Sequence, residues 1–144
     1  MTQMSEKTSK KNIKYGEVYW GRLDDAEGYE QQKERPLAIV SHNKQNEIGK
    51  LLIVVPLSRS IEKIYPFQVA TFFNGEKGKA KCEQVRAITS ERLERKLGNL
   101  TEKEMKEIGD RLLLILNLAD NISNKQLLII LEKRVKEGKI YINN

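Results

Sequence analysis

Short runs of apolar, aromatic and β-branched residues recur between residues 16 and 88 and are separated by polar stretches. Runs of this length and composition are typical of β-strands. The connections between them carry turn-forming residues, among them Asn74-Gly75 followed by Gly78. The pattern predicts a small antiparallel sheet or barrel with strands at 16–23, 36–41, 51–58, 67–73 and 80–88.

The apolar pattern becomes helical towards the C-terminus. Thr101 and Glu104 have the spacing of a capping box, and apolar residues then recur at steps of three and four, which predicts a helix over 102–118. Ser123 with Gln126 repeats the capping spacing and predicts a second helix over about 124–136. A β-region followed by helices gives an α+β fold that is mainly β.

The composition divides the chain into three parts. Residues 1–14 are polar, rich in lysine and without apolar period, so we expect a disordered lead-in. Residues 15–118 form the folded domain. Residues 119–144 form a helical extension that packs on the same domain or on a dimer partner, because its run 127–131 is apolar nearly all round.

The formal net charge of +6 suggests a polyanionic partner such as nucleic acid. Position weakens that argument, because residues 1–14 carry +3 and residues 132–139 carry +2, which leaves +1 for the rest. Charge at chain ends is usually solvated. The net charge is therefore weak support for a basic binding face.

Several classes of protein are excluded or disfavoured. Uninterrupted apolar runs such as 112–116 and 127–131 are far shorter than the roughly 18 residues of a membrane span. The N-terminus has no apolar stretch of the signal-peptide type. Cys82 is the only cysteine, which excludes an internal disulfide framework or a thiolate zinc cluster. We expect a cytoplasmic protein that does not bind membranes.

Common catalytic constellations are also missing. His42 is the only histidine, so one subunit cannot build a two-histidine metal site or a paired-histidine ribonuclease mechanism. Cys82 and His42 could in principle form a nucleophile pair. A cysteine in a strand is more often a small buried hydrophobe, and the position of His42 at a strand end predicts a surface turn. The sequence contains neither G-x-G-x-x-G nor G-x-x-x-x-G-K-[ST], which argues against nucleotide-dependent chemistry.

Polar residues at strand ends and in loops are the remaining candidates. For Arg35, which follows an acidic loop, the ordinary explanation is a surface ion pair worth at most about 1 kcal/mol. Periodicity alone favours that explanation. The other candidates of this kind are Glu30, Gln31, Ser58, Glu83, Gln84 and Arg86.

Six short motifs, in order and at fitting spacings, change this interpretation. They are GEVYW at 16–20, GYEQ at 28–31, ERPLAIV at 34–40, VPLS at 55–58, YPFQV at 65–69 and EQVRAI at 83–88. Over about residues 15–118 the sequence resembles the MazF/PemK family of toxin endoribonucleases from bacterial toxin–antitoxin modules.

The resemblance implies an SH3-like small β-barrel, of the kind shared by CcdB and MazF, with C-terminal helices and normally a homodimer. It implies cleavage of single-stranded RNA without metal or other cofactor. In such enzymes the 2′-hydroxyl attacks the adjacent phosphorus and leaves a 2′,3′-cyclic phosphate and a 5′-hydroxyl. A cognate antitoxin is the implied protein partner, and the module binds DNA through the complex.

The same resemblance assigns roles to three residues. Arg35 matches the essential arginine of the family, and its permanent charge suits stabilisation of the phosphorane, with proton donation to the leaving group as a further role. Ser58 matches the Thr/Ser of the family and suits a hydrogen bond to a non-bridging oxygen. Glu30 is the candidate general base.

RNA binding needs cations for phosphates and aromatic or polar groups for bases. The aromatic candidates for base binding are Tyr19, Trp20, Tyr29, Tyr65 and Phe67, of which Trp20 and Phe67 are at least as readily explained as barrel core. A basic run beside the Gly75–Gly78 turn is where we expect phosphate contacts. The expected RNA-binding residues are Tyr29, Gln31, Arg59, Lys77, Lys79, Lys81, Gln84 and Arg86.

Two other functions stay open at this point. A gyrase-poisoning toxin of the CcdB type shares the barrel but acts on a protein through its C-terminal helix. A non-catalytic barrel could bind RNA or a protein. The presence of Arg35 with Ser58, and the extra segment after the helix, favour RNA cleavage over the gyrase-poisoning alternative.

Overall fold

The strands of the protein form a curled antiparallel sheet, seen here in a computed structural model that describes residues 12–23, 34–118 and 129. The described part contains seven strands and two α-helices. In chain order they are β1 (Glu17–Arg22), β2 (Glu34–Ile39), α1 (Asn43–Ile48), β3 (Leu51–Ser58), β4 (Val69–Phe73), β5 (Glu76–Ala80), β6 (Arg86–Thr89), β7 (Leu93–Asn99) and α2 (Glu102–Ile115).

The strand order is β4-β5-β3-β2-β1-β7, and β6 also pairs with β3. Strand β3 is the centre, since one edge binds β2 while the other binds β6 near its start and β5 near its end. The sheet curls into a half-barrel with α2 packed against it, so the predicted SH3-like, mainly β fold is confirmed.

Two predictions about strands were wrong. The run 80–88 is not one strand, because a 3-10 turn at Cys82–Gln84 separates β5 from β6. The segment after Phe73 is not only a connection, because Asn74 (φ 52°) and Gly75 (φ 80°) form the two-residue turn of a hairpin between β4 and β5. Strand β7 was not predicted at all.

The helices agree better with the pattern. Thr101 and Glu104 form the predicted capping box, and α2 ends at Ile115, a little before the predicted 118. His42 is exposed and accepts a hydrogen bond from the backbone N–H of Lys44 at 2.9 Å, which caps α1 and confirms its place at a surface turn. Apart from Ile129, the second predicted helix lies outside the described residues.

Apolar side chains alternate along the strands and build one core on each face of the sheet. On one face Val18, Ala38 and Leu57 pack with Met105 and Ile108 of α2. The opposite face has its own buried cluster, made of Ile13, Tyr19, Leu37, Ile39, Leu52, Val54, Ile88 and Leu93. Because Ile13 is only 3% exposed, the folded part begins before residue 15.

Cys82 is fully buried in the core that packs against α2, although it lies in the 3-10 turn and not in a strand. Burial, followed by the nearby charge of Glu83, raises the pKa of its thiol to about 11. The thiolate that a nucleophile needs is therefore disfavoured at neutral pH.

Candidate active site

A cleft of about 550 Å³ opens where β1, β2, β3 and β7 meet the β4–β5 hairpin. It contains two residues that the sequence singled out as catalytic candidates, Arg35 and Ser58. The lining residues are Trp20, Glu34, Arg35, Pro36, Leu57, Ser58, Arg59, Thr71, Phe73, Asn74, Glu76, Lys77, Gly78, Arg95 and Leu97.

Arg35 enters the cleft from the start of β2, where it pairs with Gly21 of β1. Its side chain is half-buried. No ion pair or hydrogen bond of the Arg35 guanidinium is found with any residue of 12–23 or 34–118. A permanent cation without a carboxylate partner in this part of the molecule is available for an anionic ligand.

Ser58 is the last residue of β3, and its hydroxyl oxygen accepts a hydrogen bond from the backbone N–H of Ser60 at 3.1 Å. That bond orients the oxygen and leaves the hydroxyl hydrogen to donate. Gly78 of β5 lies directly beside Ser58, because a Cβ added at Gly78 would come within 2.5 Å of the Ser58 carbonyl oxygen. The backbone around the hydroxyl therefore requires glycine at position 78.

Lys77 and Arg59 add positive charge to the rim. The Asn74–Gly75 turn brings Lys77 into the cleft with an exposed side chain. The Arg59 Nε lies 3.4 Å from Glu76 Oε1, and both side chains are mostly exposed. Such a pair contributes at most about 1 kcal/mol, so Arg59 can exchange Glu76 for another anion.

Trp20, Glu34 and Arg95 form a connected group on the opposite wall. The indole N–H of Trp20 donates to Glu34 Oε1 at 2.6 Å. The Arg95 guanidinium lies 5.7 Å from the centroid of the Trp20 ring, which is a cation–π distance. Trp20 is thus a cleft residue and is absent from the buried core, contrary to one of the two explanations that the sequence left open.

Glu34 also shares a hydrogen bond with Glu94. The bond from Trp20, followed by that from Glu94, lowers the pKa of Glu34, whereas the bond with Glu34 raises the pKa of Glu94. Of the two carboxyl groups, Glu34 therefore keeps its charge to lower pH and Glu94 is the more readily protonated one.

The structure does not bring all expected RNA-binding residues together. Lys79 is 7% exposed, and its ammonium group donates to the Lys63 carbonyl at 2.7 Å, so it faces away from the cleft. Three further residues, Lys81, Gln84 and Arg86, are also absent from the cleft lining. Tyr29, Glu30 and Gln31 lie outside the described residues.

The other aromatic candidates have different surroundings. Tyr19 is buried, and its hydroxyl donates to Glu17 Oε1 at 3.0 Å. Tyr65 and Phe67 stack on one another with ring centroids 5.6 Å apart, and neither lines the cleft.

An apolar groove of about 560 Å³ adjoins the cleft. The two share Thr71, Lys77 and Gly78 as a common wall. Its apolar side chains include Ile61, Ile64 and Phe72, which are 44%, 40% and 63% exposed.

Neither a metal cluster nor a membrane helix is found in the described part. Among residues 12–23 and 34–118, no three His, Cys, Asp or Glu side chains are grouped so that they could hold a metal ion. No described helix has the length and apolar character needed to cross a membrane.

Comparison with known proteins gives the family. Residues 14–116 match the model of the PemK-like, MazF-like toxins of type II toxin-antitoxin systems. The chain belongs to this toxin family. Its MazF relatives include Endoribonuclease MazF9 of Mycobacterium tuberculosis, which is 36% identical over 115 residues that cover 74% of this chain and 98% of the relative.

Solved MazF structures share the fold. A mycobacterial endoribonuclease in complex with its cognate antitoxin superposes with a TM-score of 0.62 at 23% identity, over 74% of this chain and 96% of the other. MazF from Deinococcus radiodurans gives a TM-score of 0.63 at 23% identity, over 73% of this chain and 96% of the other. None of these relatives is named as a gyrase poison.

Two cleft residues, Glu34 and Arg95, were not among the site residues expected from the sequence, and Trp20 was an aromatic candidate that core packing explained equally well. Trp20 and Glu34 lie inside the GEVYW and ERPLAIV motifs, so the motifs marked their segments but not their roles. Arg95 pairs with Trp20 only through the β1–β7 contact. No local signal in the sequence indicates that contact.

Proposed function

We propose that this chain is the toxin of a toxin–antitoxin system and cuts single-stranded RNA at selected sequences without a metal ion. The observation that carries the proposal is the placement of Arg35 and Ser58 in one cleft. The guanidinium has no carboxylate partner in the described part, and the hydroxyl has a free hydrogen. Family membership and the name of the mycobacterial relative support the same reaction.

The RNA supplies the nucleophile in this reaction. Its 2′-hydroxyl loses a proton and attacks the adjacent phosphorus, the bond from phosphorus to the 5′-oxygen breaks, and that oxygen takes up a proton from Arg35 or from solvent. The products carry a 2′,3′-cyclic phosphate and a 5′-hydroxyl. Negative charge grows on the non-bridging oxygens as the bond forms. A protein accelerates such a step by placing fixed donors and cations where that charge develops.

Arg35 has the stabilising role. Its guanidinium presents N–H donors in a rigid fork that fits two phosphoryl oxygens, and its charge persists at any physiological pH. The Ser58 hydroxyl donates to one non-bridging oxygen. We keep Glu30 as the base that removes the 2′-hydroxyl proton, on the strength of its place in the GYEQ motif.

RNA approaches along the cationic rim. Lys77, Arg59 and Arg95 line the cleft and suit phosphate contacts. We place Tyr29 and Gln31 near the bases because they flank Glu30, and we assign Lys81, Gln84 and Arg86 to nucleotides beyond the cleft. Lys79 is left out, because its ammonium group is bound to a backbone carbonyl.

The partners follow from the family and the surface. An acidic antitoxin segment that covers the cleft would continue into the apolar groove, since the two share a wall. Leu114 and Leu116 near the end of α2 are 64% and 53% exposed, which supports burial against a second copy or against the extension 119–144. We propose a cytoplasmic homodimer that blocks translation by cutting mRNA.

The test is cleavage of a long RNA by the purified protein in EDTA, with the ends mapped by sequencing. We expect cuts at a limited set of sequences. Arg35→Ala should lower kcat by at least about 100-fold, as expected for a lost transition-state contact, and Arg35→Lys should recover part of it. Lys44→Ala removes an exposed cation outside the cleft and should change nothing. Absence of cleavage by the wild type would overturn the proposal.

A further inference from the structure

We propose that Trp20 is the residue on which a base of the RNA stacks, and that Trp20, Arg95 and Glu34 together select the nucleotide beside the cleaved phosphate. The inference rests on the proposed function, because it takes single-stranded RNA as the ligand of the cleft. It assigns a specificity role to a wall of the cleft that the catalytic roles of Arg35 and Ser58 leave unused.

The ring of Trp20 is held in place before any ligand arrives. Its indole N–H is bound to Glu34 Oε1 at 2.6 Å, and the Arg95 guanidinium lies 5.7 Å from its centroid. Trp20 pairs with Pro36 of β2 and with Arg95 of β7, so the backbone on both sides of the ring is sheet. A ring fixed in this way loses little conformational entropy when a base binds.

The position of the ring connects it to the chemistry. Trp20 and Arg35 line the same cleft, and Pro36, opposite Trp20 in the sheet, directly follows Arg35. A nucleotide whose phosphate contacts Arg35 therefore enters the same cleft as the indole, which offers its base a surface for stacking. Arg95 adds a cation that suits both the base face and the phosphate of that nucleotide.

The Glu34 carboxylate at the edge of the Trp20 ring can distinguish one base from another. The Glu34 carboxylate, whose pKa the bond from Trp20 lowers, only accepts hydrogen bonds. An amino group on the stacked base would be favoured beside it, and a carbonyl would be disfavoured. Stacking alone tolerates every base, so this edge is what discriminates.

The Tyr65–Phe67 pair serves as the internal comparison. Its two rings are parallel within 3°, so one face of each ring is covered by the other. Phe67 is 38% exposed but lies outside the cleft. It is an exposed aromatic residue that the proposal does not use.

The first experiment uses intrinsic fluorescence, because Trp20 is the only tryptophan of the chain. A labelled pool of single-stranded DNA lacks the 2′-hydroxyl and cannot be cut. We expect tryptophan quenching that saturates at the same concentration as the anisotropy of the label. Binding seen by anisotropy with unchanged tryptophan fluorescence would overturn the inference.

The second experiment maps cleavage ends for Trp20→Leu, Trp20→Phe and the control Phe67→Leu. Loss of one stacking contact should lower kcat/KM by about 5- to 150-fold in Trp20→Leu and relax the base preference at one position, with recovery in Trp20→Phe. Phe67→Leu should keep the wild-type preference. Unchanged preference in Trp20→Leu would overturn the inference.

The two proposals fail separately. If the wild type cuts no RNA, the proposed function fails, while the fluorescence titration still decides whether a base stacks on Trp20. If the wild type cuts RNA, but binding does not quench Trp20 and Trp20→Leu keeps the base preference, only the further inference fails. Should Trp20→Leu unfold, the fluorescence titration of the wild type still gives the decision.

Discussion

At the residue scale, the Ser58 hydroxyl has one oxygen and one hydrogen to offer. The oxygen is held by the Ser60 backbone N–H at 3.1 Å, which leaves the hydrogen for a ligand. A serine χ1 angle is freer than that of threonine, because threonine carries a second heavy atom on Cβ. The bond to Ser60 compensates for that freedom by fixing the oxygen.

Substitutions at Ser58 test the role of this hydroxyl. Ser58→Ala should lower kcat by about 100- to 1000-fold, because a preorganised donor to the phosphorane is lost. Ser58→Thr keeps the hydroxyl and should stay close to wild type. Ser60→Ala is the matched control, since only the Ser60 backbone takes part in the bond. Equal rates for Ser58→Ala and Ser60→Ala would contradict the role.

At the element scale, the β4–β5 hairpin determines the shape of the cleft. Its Asn74–Gly75 turn positions Lys77, and Gly78 lets β5 approach the end of β3. In β5 itself, the sequence EKGKA is rich in lysine and glycine, which are rare in strands. The turn and the neighbouring β3 determine this strand, which explains why its own residues did not predict it.

Two glycine substitutions distinguish a glycine required by a close backbone contact, at Gly78, from a glycine that only lowers helix propensity, at Gly109. Gly78→Ala places a Cβ 2.5 Å from the Ser58 carbonyl oxygen and should destabilise the protein by about 1–3 kcal/mol, with loss of cleavage. Gly109→Ala in α2 meets nothing within 4 Å and should stabilise by about 0.5–1 kcal/mol. Urea unfolding measures both. A neutral Gly78→Ala variant with full activity would contradict the role of the hairpin.

At the scale of the whole molecule, the sequence predicted the fold class and the capping box, and the ordered motifs indicated Arg35 and Ser58. It missed β7, whose LERKLGN run has only two large apolar residues, Leu93 and Leu97. It also missed the contact of Arg95 with Trp20, because the pairing of β1 with β7 joins distant parts of the chain. Pairing between strands far apart in the sequence produces no local pattern of apolar residues from which it could be predicted.

The N-terminal boundary gives a test at the same scale. Deletion of residues 1–11 removes a net charge of +2 and should leave stability and cleavage unchanged. Deletion of 1–14 also removes Ile13, whose burial in the core on the sheet face opposite α2 contributes up to about 1.5–3 kcal/mol. Urea unfolding and cleavage assays compare the two. A large loss of cleavage on deleting 1–11 alone would show that the positive charge of the N-terminus contributes to RNA binding, contrary to this account.

The central claim is RNA cleavage through the 2′-hydroxyl in the Arg35–Ser58 cleft. The most direct measurement is the mass of the product ends from a short RNA that contains a mapped cleavage site, with and without 2′-deoxy substitution at the cut nucleotide, in EDTA. We predict a 2′,3′-cyclic phosphate and a 5′-hydroxyl from the RNA and no product from the substituted strand. Ends with a 3′-hydroxyl, or equal cleavage of the deoxy strand, would contradict the account.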